Sequence, residues 1–377
     1  MSDAAMINDD CHIKEVASEF AIAGEFIEGE EVHSGHINAT YKATFRNDDG
    51  RIHRYIIQRI NEKVFKDPLA VMRNVEMVTS HINSKVMRVK RDSGGQTLSL
   101  YPARDGSFFA SGTGGGIWRC YNFIEGCRTF EVAANTRQAY QAAHAFGSFQ
   151  DLVSDISVED IEETIPDFHN TPKRYDRLMR VVDTDPRGRL AEVTAEVDFV
   201  KARKAMLSKF IDLRSRGDLP VRITHNDTKI NNVMMDVESD EAVCVIDLDT
   251  VMPGLSLYDF GDLVRTAVSP AAEDERDLSK VNVRMPMFEA LAEGYIDGCH
   301  CLCDAELDNL AFAGILISLE TGMRFLTDHL EGDVYFKIHQ DGQNLDRART
   351  QFRLVELLEQ RQAEMESCID RLAKARS

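Results

Sequence analysis

The period of the apolar residues changes at Glu125-Gly126: the chain before it reads as strands and the chain after it as helices, so two structural units are expected. Asn38 to Phe45 alternates as a half-buried strand does, Asn47-Asp48-Asp49-Gly50 supplies a turn, and Arg54 to Ile60 reads as the hairpin partner. Asp67-Pro68 offers an N-cap and a proline at the first helical position, opening a helix to about Lys85 on Val71, Val75, Val78 and Ile82. Strands near Leu98 to Tyr101 and Ile117 to Phe123 follow. Beyond the change, Val132 to Phe149, Glu192 to Arg214, Pro286 to Tyr295, Leu307 to Leu326 and Ala348 to Ala373 carry helical spacing, and only 221–250 is strand-like. The fold class expected is α+β and bilobal. Residues 1–122 form a small β-rich lobe, about 121–126 a hinge, and 127–377 a larger helical lobe with an inserted β-hairpin.

Charge narrows the partners. With 63 acidic and 44 basic residues the net charge is −19, which repels polyanions, so nucleic acid is not an expected partner. The N-terminal stretch has no basic and apolar signal pattern, and no uncharged apolar run approaches the ~20 residues a membrane span needs. A cytoplasmic protein without a membrane partner is expected. The scattered cysteines read as reduced thiols, and Cys299-His300-Cys301-Leu302-Cys303 lacks the second ligand pair that a zinc site brings from elsewhere.

Phosphoryl transfer needs a carboxylate for the proton of the attacking hydroxyl, oxygen ligands for Mg²⁺, and a cation for the phosphate. The segment His225-Asn226-Asp227-Thr228-Lys229-Ile230-Asn231-Asn232 has the His-x-Asp-x-x-x-x-Asn spacing of kinase catalytic loops. It assigns Asp227 as base, Lys229 to the transferred phosphate and Asn232 as metal ligand. A turn at Glu238 to Glu241 returns the chain through Ala242 to Ile246 and presents Asp247, a second hard oxygen donor for Mg²⁺. Asp259-Phe260-Gly261 also spells a kinase metal tripeptide, but it follows the Pro253-Gly254 loop and precedes a helical run. Asp259 is therefore read as a structural carboxylate bonding back to the loop. Gly112 to Gly116 lacks a following Gly-Lys-Ser/Thr and runs into a strand, so it reads as a hairpin turn.

At these residues the sequence resembles the aminoglycoside phosphotransferase and choline kinase superfamily of small-molecule kinases, and most closely the N-acetylhexosamine 1-kinases. Ser34 to Thr40, Tyr55 to Asn61, Val64 to Pro68, Trp118 to Gly126, Ile246 to Gly254 and Arg324 to Leu330 extend the resemblance over nearly the whole chain. It implies a protein-kinase-like fold, with adenine against the backbone near Tyr121 to Ile124 and a loop at Gly35 over the phosphates, where His36 and Asn38 offer donors. The strand position that most kinases give to lysine is Gln58 here. Asn74, or alternatively Glu76, stands where its helix glutamate would be, so an amide pair could replace the ion pair; Arg59 points to the other strand face.

The resemblance further implies ATP and Mg²⁺ as cofactors and a hexosamine acceptor at the C-terminal helices. Asp227 would take its anomeric proton, with Arg324 and Tyr335 contacting the sugar and Asp328 and Asp333 as weaker candidates. The rival readings are a kinase of amine-bearing acceptors such as an aminoglycoside or choline, and a non-catalytic nucleotide-binding scaffold. The oligomeric state is left open.

Overall fold

Residues 12–32, 37–89, 97–112 and 115–376 are described by the structure, a computed structural model. Their contacts divide the chain into two units. The first runs through Cys127 and takes in Ile161–Ile165 and Leu248–Thr250; the second holds the remainder.

In the first unit, Ile13, Val16 and Ala17 at helical spacing bury the face of α1 (residues 12–18). The strands β1 (Glu25–Glu31), β2 (Ala39–Arg46) and β3 (Ile52–Arg59) form an antiparallel meander, the last two being the hairpin expected around Asn47 to Gly50. The helix α2 (Pro68–Val89) begins where the cap signal placed it, with the Asp67 carboxylate accepting the Ala70 N–H at 2.9 Å. Three further strands, β4 (Leu100–Tyr101), β5 (Ala110–Ser111) and β6 (Ile117–Asn122), complete a sheet of order β1-β2-β3-β6-β4 with β5 also on β6. The strands β5 and β6 pair on either side of the glycine patch, whose residues 113–114 lie outside the described residues, and the Gly112 N–H donates to the Gly116 carbonyl. Phe20, Ile57, Trp118 and Cys120 lie in the core of this unit.

The short β7 (Cys127–Arg128) carries the chain onward. The helix α3 (Thr136–Val153) starts four residues later than expected, because the Asn135 side chain accepts the Gln138 N–H and caps it. The helix α4 (Thr171–Thr184) was not anticipated; its polar composition hides a stripe of only Tyr175, Leu178 and Val181. The single helix expected over Glu192 to Arg214 is instead α5 (Thr194–Ala202) and α6 (Lys209–Ser215). The core-facing stripe of Val197 and Val200 meets Arg203 and Lys204, whose charged ends lie over the Phe199 and Tyr175 rings, and the chain turns there.

The strands β8 (Arg222–Thr224), β9 (Val233–Asp236), β10 (Ala242–Val245) and β11 (Met252–Gly254) occupy the strand-like region; β9 pairs with β10 and β8 with β11. Then come α7 (Ser256–Ala267), α8 (Met285–Gly298), α9 (Asp304–Leu307), α10 (Leu310–Glu331) and α11 (Gln343–Arg376). Close approach of α3 and α8 depends on Gly294, where a β-carbon would stand 2.3 Å from the Tyr140 carbonyl oxygen. The helix α10 has the length and apolarity of a membrane span, but 94% of that stretch is buried inside the protein, as a core helix is.

Candidate active site

The pairing of β8 with β11 brings the chain to His225 through buried Ile223 and Thr224. Asn226 then takes the left-handed conformation, φ 63°, a cost that surrounding contacts must offset. Asp259 supplies them. Its Oδ2 accepts the His225 N–H at 2.9 Å and the Gln150 amide at 2.7 Å, its Oδ1 accepts the Asn226 N–H at 2.7 Å, and its own carbonyl accepts the Thr228 hydroxyl at 2.6 Å. The Asp259 side chain thus clamps the backbone just before Asp227, the structural role its sequence position suggested.

On this loop Asp227 Oδ1 lies 2.8 Å from the Lys229 ammonium. The Asn232 amide donates to the Asp227 carbonyl at 2.8 Å and to its Oδ2 at 3.2 Å. Burial pushes the Asp227 carboxyl up, but the charge and hydrogen bond of Lys229, with the electrostatic contributions of His225 and Arg265, together outweigh it and hold Asp227 below its ordinary value. Lys229 is held above its own, chiefly by Asp227. The His225 Nε2 lies 3.0 Å from the Ile246 carbonyl and its Nδ1 faces the Asp227 N–H at 3.3 Å, an arrangement satisfied by neutral imidazole protonated on Nε2. The Ile246 N–H donates to the Asn232 carbonyl at 2.9 Å, so Asn232 and Asp247 lie at one end of the β9–β10 hairpin. Asp247 is exposed and left-handed, φ 61°.

In the first unit, Gln58 sits directly opposite Arg119 in the sheet. Its Oε1 accepts both Arg119 Nε and Nη2, at 3.1 and 3.0 Å, and its Nε2 donates to Thr40 Oγ1 at 3.0 Å. The Arg119 Nη1 pairs with Asp249 Oδ1, and the guanidinium lies over the Tyr121 ring. Asn74 uses its amide on the Glu162 backbone, donating at 2.8 Å and accepting at 2.9 Å. The amide pair considered for Gln58 and Asn74 is thus replaced by a Gln58–Arg119 pair. Asn38 donates to Asp249 Oδ2 at 2.6 Å and accepts the Asn61 N–H at 3.0 Å, so its side chain braces this cluster. Tyr121 and Ile124 are buried at the end of β6, and Arg59 is exposed. Gly35 and His36 lie outside the described residues.

In the second unit, Arg324 is half-buried with its guanidinium over the rings of Phe168 and Phe336, and the Tyr335 ring is exposed beside Phe336. Asp328 is spent on structure, accepting the N–H groups of Val334, Tyr335 and Phe336 and the Asn344 amide. Asp333 is likewise taken by Arg189 at 2.7 Å and Asn344 at 2.9 Å.

Over residues 28–281 the sequence matches the family model described as the phosphotransferase enzyme family, APH. The chain belongs to this family. It is an ATP-dependent small-molecule phosphotransferase. Solved structures of similar fold include an aminoglycoside phosphotransferase from Alicyclobacillus acidocaldarius subsp. acidocaldarius, 14% identical over 95% of this chain and 96% of that one, with a TM-score of 0.64. Amicoumacin kinase hAmiN, in complex with AMP-PNP, Ca²⁺ and Ami, is 14% identical over 94% and 96%, with a TM-score of 0.57. Choline kinase from Cryptosporidium parvum Iowa II is 13% identical over 96% and 97%, with a TM-score of 0.52. At these identities the likeness is one of fold.

Two features of this phosphotransferase escaped the sequence reading. Arg119 had a signal, a single cation in the apolar strand Ile117–Asn122, but its partners Gln58 and Asp249 are fixed only by sheet register and a distant segment. Arg174, whose Nη2 donates at 2.9 Å to the carbonyl of the Phe168 that underlies Arg324, had none, lying in a helix whose composition reads as a solvated face.

Proposed function

We propose that this phosphotransferase moves the γ-phosphoryl group of ATP to the anomeric hydroxyl of an N-acetylhexosamine, giving the sugar 1-phosphate. The observation that carries the acceptor is Arg324 with its guanidinium over the Phe168 and Phe336 rings and a second guanidinium, Arg174, within its electrostatic reach. Such a region repels an ammonium and suits the oxygens and apolar face of a sugar. That speaks against aminoglycoside and choline acceptors.

For the chemistry, Asp227 accepts the proton of the attacking hydroxyl, and Lys229, now paired with it, turns to the phosphate when substrates are bound. Asn232 and Asp247 offer a carboxamide and a carboxylate. Among the described residues no cluster of three His, Cys, Asp or Glu side chains forms a metal cage. A pair of protein oxygens is what Mg²⁺ takes when phosphates and water fill the rest of its shell, so the donors fit the ion. When bound, Mg²⁺ would neutralise phosphate charge. The hAmiN complex with AMP-PNP and Ca²⁺ supports a nucleoside triphosphate and a divalent cation here. Gln58, Tyr121 and Ile124 are the nucleotide-side candidates, with Gly35 and His36, while Asn38 acts through Asp249.

The test is ATP turnover with Mg²⁺ against N-acetylglucosamine, N-acetylgalactosamine, kanamycin and choline, with the product examined by phosphorus NMR. Coupling of the new phosphate to the anomeric proton is expected. Turnover confined to the amine acceptors would overturn the proposal.

A further inference from the structure

From Leu310 to Leu330 every residue of α10 is buried except Arg324. One turn before it, Glu320 is nearly inaccessible, with Oε1 2.9 Å from His169 Nδ1 and Oε2 accepting the Thr171 hydroxyl at 2.6 Å. The His169 ring packs against Tyr258 and Phe168, at 4.6 and 4.7 Å between centroids. Its side chain is 8% exposed, and among the described residues its Nε2 has no hydrogen-bond partner. The next turn of the chain places Arg174, whose Nη2 donates to the Phe168 carbonyl at 2.9 Å and whose buried Nε likewise has no partner among the described residues.

The Arg174 Nε–H is therefore an unspent donor within the electrostatic reach of a second guanidinium, Arg324. Burial and then the charge of Arg324 depress the Arg174 guanidinium, and the carboxylate that opposes them, Glu320, is already bonded by His169 and Thr171. A buried donor left unpaired carries a desolvation cost that a hydrogen-bonding ligand oxygen at this place would recover. A planar guanidinium fork suits a carbonyl oxygen, and the flanking Phe168 and Phe336 rings suit an attached methyl.

We infer that Arg174, acting with Arg324, is a specificity-determining residue that binds the acyl oxygen of the acceptor and excludes its free-amine counterpart. This rests on the N-acetylhexosamine reading and adds to it the group that tells an acylated from an unacylated sugar.

The test is calorimetric titration of the full chain with N-acetylglucosamine, glucosamine and glucuronate, for the wild type, Arg174→Gln and Arg174→Lys, with melting curves as the folding control. The wild type should bind N-acetylglucosamine at least about tenfold more tightly than glucosamine. Arg174→Gln should lose about tenfold toward N-acetylglucosamine and much of that discrimination, with Arg174→Lys excluding glucosamine yet recovering little affinity. If Arg174→Gln does not fold, Arg174→Lys is the deciding variant. Unchanged affinity in a folded variant overturns the inference, as does wild-type binding of glucosamine or glucuronate that equals or exceeds that of N-acetylglucosamine, or no binding of the acylated sugar. Acyl-selective binding without phosphorylation at the anomeric carbon overturns the proposed reaction alone. Turnover of N-acetylglucosamine by Arg174→Gln at wild-type KM overturns the inference alone.

Discussion

Arg119 and Asp249 form an ion pair whose side chains are 1% and 4% exposed. Breaking a buried pair from one side leaves a charge in low dielectric, at a cost of about 3–5 kcal/mol, whereas removing both is far cheaper. Arg119→Met and Asp249→Asn should each destabilise by about that amount, and the double variant by clearly less than the sum. Urea unfolding of the four proteins measures the coupling; additive losses would show that the pair carries none.

Asp227 and Lys229 depend on one another for their charge states. Asp227→Asn should lower kcat by about 10² to 10⁴ in a protein that still folds, a loss far beyond any accompanying change in melting temperature. In Lys229→Met the ammonium that holds Asp227 down is gone while its burial persists, so the carboxyl must rise. The acid limb of kcat/KM, below the ordinary carboxylate range in the wild type, should move to higher pH. A pH–rate profile decides it, and an unmoved limb would mean that Asp227 is not the base it reports.

Asp259 receives three N–H donors on two oxygens. In Asp259→Asn one of them would face an amide nitrogen, leaving a buried donor unmet at about 1–3 kcal/mol. Stability and kcat should fall together while residual activity keeps its Mg²⁺ dependence. Normal stability with altered Mg²⁺ dependence would instead make Asp259 a metal ligand.

How much of this was legible in the sequence follows the range of the interactions. Asp227, Lys229 and Asn232 share one loop, and Asp247 returns on the adjacent strand, so spacing alone brought them together. The Asp259 clamp could be anticipated because it follows the β11 turn at once. Arg119 could not, since its partners Gln58 and Asp249 lie in a different strand and in a segment more than a hundred residues away. The acceptor candidates came from the resemblance and not from spacing: Arg324 stands half-buried in an otherwise buried helix, whereas Asp328, the weaker candidate, is taken up by four donors.

The strand that delivers the catalytic loop is anchored from behind. Arg222 of β8 grips Glu306 through Nε and Nη2, both at 2.7 Å, while Ser256 Oγ and the Cys303 N–H donate to the same carboxylate at 2.5 and 2.9 Å. Burial pushes Glu306 up, but these donors and the Arg222 charge outweigh it and hold the carboxyl below its ordinary value. A carboxylate depressed in the folded state contributes stability that is present above its unfolded value, about 4.3, and that is lost as pH falls through the folded one. Glu306→Gln should therefore cost about 3–5 kcal/mol at neutral pH. Below about pH 4 the gap to wild type should narrow, because the wild-type carboxyl is then protonated as well. Urea midpoints of both proteins between pH 7 and 3.5 test this, and a gap that stays constant with pH would mean that Glu306 acts by shape and not by charge.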